Sequence, residues 1–139
     1  MNSFVLDASV ALAWFMDPVA AALATRVQQL LLQGGRAIVP SLWRPEVANG
    51  FVMAQKRGTL SAARIAQAFS ELDLLMAHSI EVSIREFSVR HLVAASQQFG
   101  LTAYDAVYLE TARELRLPLA TLDKSLVSVA SRAGVLLVK

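Results

Sequence analysis

The sequence contains no cysteine, which excludes disulfide bonds and thiolate metal sites. It has only two histidines, His78 and His91, and neither has a second ligand at a metal-binding spacing, so we interpret both as surface residues. The longest uncharged apolar run, from Ala8 to Met16, is too short to cross a bilayer. The N-terminus has no basic region and no small-residue cleavage site, so we expect no signal peptide. These absences predict a cytoplasmic protein that does not enter a membrane.

Charge and linker sequences are also scarce. The formal net charge is only +2 over 139 residues, although a pI near 9.4 leaves room for a basic patch. No internal repeat, low-complexity tract or linker interrupts the chain, so we predict one domain over residues 1–139. Hydrophobic residues make up 55% of the chain, above the usual fraction of about 45–50%. This excess predicts an apolar surface that contacts a partner.

Short apolar runs alternate with segments of helical periodicity along most of the chain. The pattern predicts strands at 4–6, 37–40, 80–82, 119–122 and 135–138, and helices at 10–15, 19–33, 43–57, 62–77, 84–99, 101–116 and 125–133. Such alternation is typical of an α/β domain in which a central parallel sheet is covered by helices on both faces.

Four acids occupy related places in this pattern. Asp7 and Asp123 follow predicted strands, and Glu46 opens the helix after the second strand. Asp105 opens the helix that precedes the fourth strand and depends on the fold to bring it to the others. In a parallel sheet the carboxyl ends of the strands and the N-termini of the following helices share one edge, where α/β proteins bind ligands.

Each acid taken alone has a simpler interpretation as a helix-capping or first-turn residue. Thr102 and Asp105, for example, have the spacing of a weak capping box. Taken together, however, the acids interrupt very apolar stretches, where a carboxylate is costly unless a cation compensates it. No lysine or arginine is near Asp7 or Asp105 in the sequence. Carboxylate oxygens without thiolate ligands suit Mg²⁺ or Mn²⁺ and not Zn²⁺.

Four motifs of the chain resemble, in order, the signatures of PIN domains, and the similarity is greatest to the VapC-type toxins of bacterial toxin–antitoxin pairs. The motifs are Val5-Leu6-Asp7-Ala8-Ser9, Pro45-Glu46-Val47-Ala48-Asn49, Leu101-Thr102-Ala103-Tyr104-Asp105-Ala106-Val107-Tyr108-Leu109 and Ala120-Thr121-Leu122-Asp123. The resemblance covers the whole chain. The sequence departs from the pattern at Gly50 and at Glu110-Thr111; we expect Glu110 to face away from the acids.

The resemblance implies a five-stranded parallel sheet in the order 3-2-1-4-5 and a type II toxin that is a metal-dependent endoribonuclease, inhibited by a small antitoxin. The catalytic and metal-binding acids are then Asp7, Glu46, Asp105 and Asp123, supported by Ser9, Asn49, Thr102 and Thr121. We expect Mg²⁺, with Mn²⁺ as a substitute, to activate a water that cleaves the RNA phosphodiester and leaves a 5′-phosphate and a 3′-hydroxyl. Asp7 and Asp105 are the predicted direct ligands.

RNA has to be held at the site as well as cut. Candidate phosphate contacts are Arg44, Lys56, Arg57 and Lys124. The alternative, that these residues form an ordinary solvated surface, is equally compatible with the sequence, because net charge does not localise a patch. The apolar excess and the resemblance together predict a homodimer.

Two other functions remain open from the sequence alone. One is a Mg²⁺-dependent phosphatase or phosphoacceptor domain, which uses a strand-end Asp with a second acid nearby; Asp7-Ala8-Ser9 lacks that second acid. The other is a catalytically silent PIN-like module that binds RNA or a protein. The presence of all four acids argues against this second function.

Overall fold

The computed structural model describes residues 2–17 and 19–139. Met1 and Pro18, which belong to the predicted domain 1–139, lie outside these residues. Within the described residues the chain forms, in order, β1 (Ser3–Leu6), α1 (Ala8–Met16), α2 (Ala22–Leu32), β2 (Arg36–Val39), α3 (Trp43–Lys56), α4 (Ala62–His78), β3 (Ile80–Val82), α5 (Val89–Phe99), α6 (Ala103–Leu115), β4 (Leu119–Ala120) and α7 (Lys124–Ala130).

The strands form one parallel sheet in the order β3-β2-β1-β4, as predicted for these four. Phe4, Val5 and Leu6 of the central strand β1 are at most 1% exposed. Successive side chains of a strand point to opposite faces of the sheet, so this continuous burial means that both faces of β1 are covered. The α/β class is therefore confirmed.

The predicted fifth strand, 135–138, is wrong. This segment reaches the sheet through a single parallel bridge between Leu119 and Leu137. The neighbouring strand β4 has only two residues instead of the predicted four, because Thr121 and Asp123 turn the chain out of the sheet and into α7. The sheet thus has four strands in the part of the chain that the structure describes, and β4 is too short to support a fifth.

Two predicted helices begin later than the pattern indicated. The helix predicted at 19–33 spans Ala22–Leu32, and the helix predicted at 84–99 spans Val89–Phe99. The Ser88 hydroxyl accepts the His91 N–H at 3.1 Å and fixes the start of α5. Ile84, assigned by its periodicity to this helix, is 96% exposed in the preceding loop. The other boundaries agree to within a few residues.

The packing of α1 against α3 explains Gly50, one of the two departures from the family pattern. A Cβ at Gly50 would overlap the side chain of Leu12 on α1. One turn away, the rings of Phe15 and Phe51 pack with their centroids 5.6 Å apart. The close approach of the two helices fixes α3, and with it Glu46, relative to the end of β1.

Among residues 2–17 and 19–139, no helix combines the length and the apolar character that crossing a membrane requires.

Candidate acidic active site

Asp7 lies at the carboxyl end of β1 and is only 6% exposed. Its N–H donates to the Ala120 carbonyl of β4 at 2.9 Å, so its backbone is tied into the sheet. Its carboxylate oxygen Oδ2 accepts two hydroxyl hydrogen bonds, from Ser9 at 2.7 Å and from Thr121 at 2.6 Å. Both predicted supporting hydroxyls of this acid are therefore in contact with it.

The same hydroxyls connect Asp7 to Asp123. The Ser9 hydroxyl accepts the Leu122 N–H at 2.9 Å, and the Thr121 hydroxyl accepts the Asp123 N–H at 3.0 Å. Asp123 in turn accepts the Leu126 N–H with its oxygen Oδ1, at 3.0 Å, and caps α7. The end of β1 and the end of β4 are thus held together by side chains from both.

Glu46 lies in the first turn of α3, and its Oε1 accepts the hydroxyl of Tyr108 at 2.5 Å. Tyr108 is 1% exposed. Its place in the apolar pattern of α6 predicted only a core residue, and this contact was not predicted. The available signal was its position three residues after Asp105, which places the two side chains on the same face of α6.

Asp105 lies in the first turn of α6, whose N-cap is Thr102. The Thr102 hydroxyl accepts the Asp105 N–H at 3.2 Å, as the capping interpretation predicts. Burial raises the pKa of the Asp105 carboxyl, and the charges of Asp123 and Asp7, which lie close enough to repel it, raise it further. Asp105 thus belongs both to the N-terminal cap of α6 and to the acidic cluster.

The four predicted acids lie close enough for their charges to act on one another. Burial raises the pKa of Asp7, Glu46 and Asp105, and repulsion from the other acids raises it further. Every pair among the four takes part in this repulsion. Hydrogen bonds from Thr121 and Ser9 to Asp7, and from Tyr108 to Glu46, act in the opposite direction and favour the charged form.

The donor chemistry of this cluster fits a divalent cation that prefers oxygen ligands. The ion pairs formed among the described residues involve none of the four acids, so no lysine or arginine neutralises them. In residues 2–17 and 19–139, no three His, Cys, Asp or Glu side chains form a ready-made metal site.

The remaining predicted residues lie at varying distances from the cluster. Asn49 is exposed one turn after Glu46. Arg44 and Lys124 are exposed and are close to Glu46 and Asp123 in the sequence, but Arg44 lines an apolar groove between α3 and α4. Lys56 and Arg57 are exposed at the far end of α3, about 15 Å along the helix axis from Glu46.

Glu110 contacts His91 and Arg113, at 2.6 Å and 2.9 Å, so its carboxylate is engaged by residues outside the four acids. Its side chain is 7% exposed, and it links α5 to α6. His91 is a surface residue, as predicted, but it also closes over this buried acid. No spacing in the sequence indicates a pair of residues on different helices.

The raised pKa values make the cluster a source of instability. Each of Asp7, Glu46 and Asp105 binds its proton more tightly in the folded than in the unfolded state. In the absence of metal, their contribution to stability is fullest below the unfolded pKa, near 4, and is lost as pH rises through the raised folded pKa.

We therefore expect Asp105→Asn to raise the melting temperature in EDTA at pH 7, because it removes one repelling charge while keeping the side-chain shape. The gain should disappear below about pH 4, where the wild-type acid is protonated in both states. Melting curves from pH 3 to pH 8 measure this. Asp73→Asn, on an exposed acid of α4, is the control; an Asp105→Asn protein that melts below wild type at pH 7 would show that this acid acts mainly by capping.

The comparisons with known proteins agree with this geometry. A model of the PIN domain family matches residues 4–131. The chain is also similar to the crystal structure of PAE2754 from Pyrobaculum aerophilum, with a TM-score of 0.65 and 23% identity over 91% of this chain and 84% of that chain. No curated protein matches the chain. Because the family match extends over most of the sequence, the chain belongs to the PIN domain family, whose members are typically nucleases that depend on divalent metal ions.

Proposed function

We propose that the protein is a metal-dependent endoribonuclease and the toxin of a type II toxin–antitoxin pair of the VapC type. The observation that carries the catalytic part is the cluster of four mutually repelling carboxylates at the carboxyl edge of the sheet, with no basic side chain paired to any of them in the described residues. The toxin–antitoxin part is supported by the four sequence motifs and by the apolar composition.

The hydrogen bonds suggest how the acids would hold Mg²⁺ or Mn²⁺. Ser9 and Thr121 both donate to Oδ2 of Asp7, and the Leu126 N–H donates to Oδ1 of Asp123. One oxygen of each carboxylate is thus held by the protein, and the hydrogen bonds described leave the other oxygen for a cation. Asp7 and Asp105 are the proposed direct ligands, and Glu46 and Asp123 complete the set directly or through water.

In RNA cleavage, the bound cation would lower the pKa of the attacking water and neutralise the phosphate oxygens. The protein's own contribution is to fix the four carboxylates on the ends of β1 and β4 and on the first turns of α3 and α6. Because these elements are packed against each other, the acids are prepositioned before substrate binds.

Replacing Asp7 or Asp105 with Asn should lower kcat for RNA cleavage by well over tenfold, equivalent to more than about 1.4 kcal/mol of barrier. Each variant keeps the side-chain shape but weakens binding of the cation. Cleavage of a fluorescent RNA by purified protein, with Mg²⁺, with Mn²⁺ and with EDTA, measures this, and Asp73→Asn again serves as the control. Wild-type rates in either variant, or full activity in EDTA, would contradict the proposed chemistry.

The same assay separates the other functions. Hydrolysis of a phosphomonoester in preference to RNA would indicate a phosphatase. RNA binding without cleavage, in the presence of Mn²⁺, would indicate a catalytically silent module.

RNA binding is proposed to use Arg44, Lys56, Arg57 and Lys124, all of which are exposed. Their positions suggest two groups, one at the starts of α3 and α7 (Arg44 and Lys124) and one at the end of α3 (Lys56 and Arg57). A strand of RNA that crosses the cluster and continues along α3 would contact both groups.

Replacing Lys56 and Arg57 together with Gln should raise KM, leave kcat within twofold, and flatten the salt dependence of kcat/KM. Loss of two contacts to single-stranded RNA reduces the slope of log kcat/KM against log salt by about 1.4. The matched pair Arg44→Gln and Lys124→Gln tests the other group in the same way. An unchanged slope for a pair would place the RNA path elsewhere.

An apolar groove between α3 and α4 is the proposed site for an antitoxin segment. It encloses about 190 Å³ and is lined by side chains that include Trp43, Phe51, Phe69 and Met76. Phe69 is 50% exposed. We also propose that the free protein is a homodimer, since large apolar side chains such as Val19, Ile84 and Val89 are at least 80% exposed.

Light scattering at micromolar concentration should give the mass of two chains. If the genome has a small reading frame next to this gene, addition of its product should give a larger mass. Phe69→Lys should prevent that increase by placing a charge in the groove, and should leave RNA cleavage unchanged. Leu74→Lys, on an exposed residue of α4 that does not line the groove, is the control. A monomer mass for the free chain would contradict the dimer, and complex formation by Phe69→Lys would contradict the groove.

A further inference from the structure

The hydroxyl of Tyr108 lies where three elements of the site meet. Tyr108 is on α6, one turn after Asp105, and donates to Oε1 of Glu46 on α3. The backbone N–H of Ala8, the residue after Asp7, lies near the same hydroxyl. One buried phenol therefore connects the elements that carry Asp7, Glu46 and Asp105.

We propose that Tyr108 is a positioning residue that holds the Glu46 carboxylate by one oxygen and leaves the other for the divalent cation. This inference rests on the proposed metal-dependent nuclease function and deepens it. It gives Glu46 the same arrangement as Asp7 and Asp123, each of which has one oxygen held by a protein donor.

A simpler role for Tyr108 would be that of a core residue whose hydroxyl merely needs some partner. The chemistry of the partner distinguishes the two roles. Glu46 is only partly buried and is repelled by Asp7, Asp105 and Asp123. A hydroxyl directed at a carboxylate in this position favours its charged form, and a charged Glu46 is unfavourable without metal but suited to binding one.

The position of the phenol is also fixed by packing. Tyr108 is 1% exposed and belongs to the hydrophobic core, so its ring is held by the residues around it. The hydroxyl presents one donor, and Glu46 is the side chain that accepts it.

The first experiment is Tyr108→Phe, which removes one oxygen and keeps the ring in the core. We expect its Mn²⁺ affinity, measured by calorimetry, to fall about tenfold or more, and its kcat to fall while KM for RNA stays within twofold. Thr111→Val is the matched control, because it removes another buried hydroxyl of α6 that donates to the Val107 carbonyl. We expect the control to lose stability but to bind Mn²⁺ as wild type does.

A double-mutant cycle tests whether Tyr108 acts through Glu46. In a Glu46→Ala background, Tyr108→Phe should cause no further loss of Mn²⁺ affinity, because the carboxylate it positions is gone. Additive losses would overturn the proposal and indicate a general structural role for the phenol.

A second measurement does not depend on the folding of Tyr108→Phe. The chain has two tyrosines, so Tyr104→Phe leaves Tyr108 alone, and the ¹³C NMR signal of its labelled Cζ can be followed. We expect this signal to move on titration with Mg²⁺, and the response to vanish when Glu46→Ala is added. A signal that ignores Mg²⁺, or a response that survives Glu46→Ala, would overturn the proposal.

The outcomes separate this inference from the proposed function. If wild type neither binds Mn²⁺ nor cleaves RNA, both are wrong. If wild type binds Mn²⁺ and cleaves RNA while Tyr108→Phe matches it in affinity and kcat, only the role of Tyr108 is wrong.

Discussion

Repulsion among four carboxylates is the constraint on which the rest of this structure depends. Charges of one sign that share an edge of a sheet destabilise the fold unless other groups compensate. Hydroxyl donors compensate part of this destabilisation. Ser9 and Thr121 donate to Asp7, and Tyr108 donates to Glu46. These donors also restrain the acids. The contacts that reduce the loss of folding stability therefore also fix the positions of the carboxylates.

The sequence predicted the elements that carry the acids, because both signals are local. Short apolar runs that end on a carboxylate indicate where strands stop, and capping residues such as Thr102 indicate where helices start. The fifth strand was wrong for a nonlocal reason. Whether 135–138 pairs over its length depends on the length of β4, which the turn at Thr121 and Asp123 cuts short.

Contacts between side chains on different elements account for what the sequence could not give. Tyr108 and Glu46 are 62 positions apart, and His91 and Glu110 are 19 apart. Neither spacing follows from a helical or strand period. The hydrogen bond of Tyr108, which lies in an apolar pattern, could therefore not be predicted from the sequence. Gly50 is similar, since its reason is the side chain of Leu12 on another helix.

Helix capping and membership of an acidic cluster were alternatives in the sequence, but the structure combines them. All four acids lie at helix N-termini: Asp7 and Asp123 are the N-caps of α1 and α7, and Glu46 and Asp105 are in the first turns of α3 and α6. Each N-terminus places the positive end of a helix dipole beside an acid and offsets part of the repulsion among the carboxylates. In the described residues no ion pair involves these acids, so the helix ends and the hydroxyl donors together allow them to coexist in a folded chain. The repulsion that they leave is what a divalent cation at this edge of the sheet would relieve.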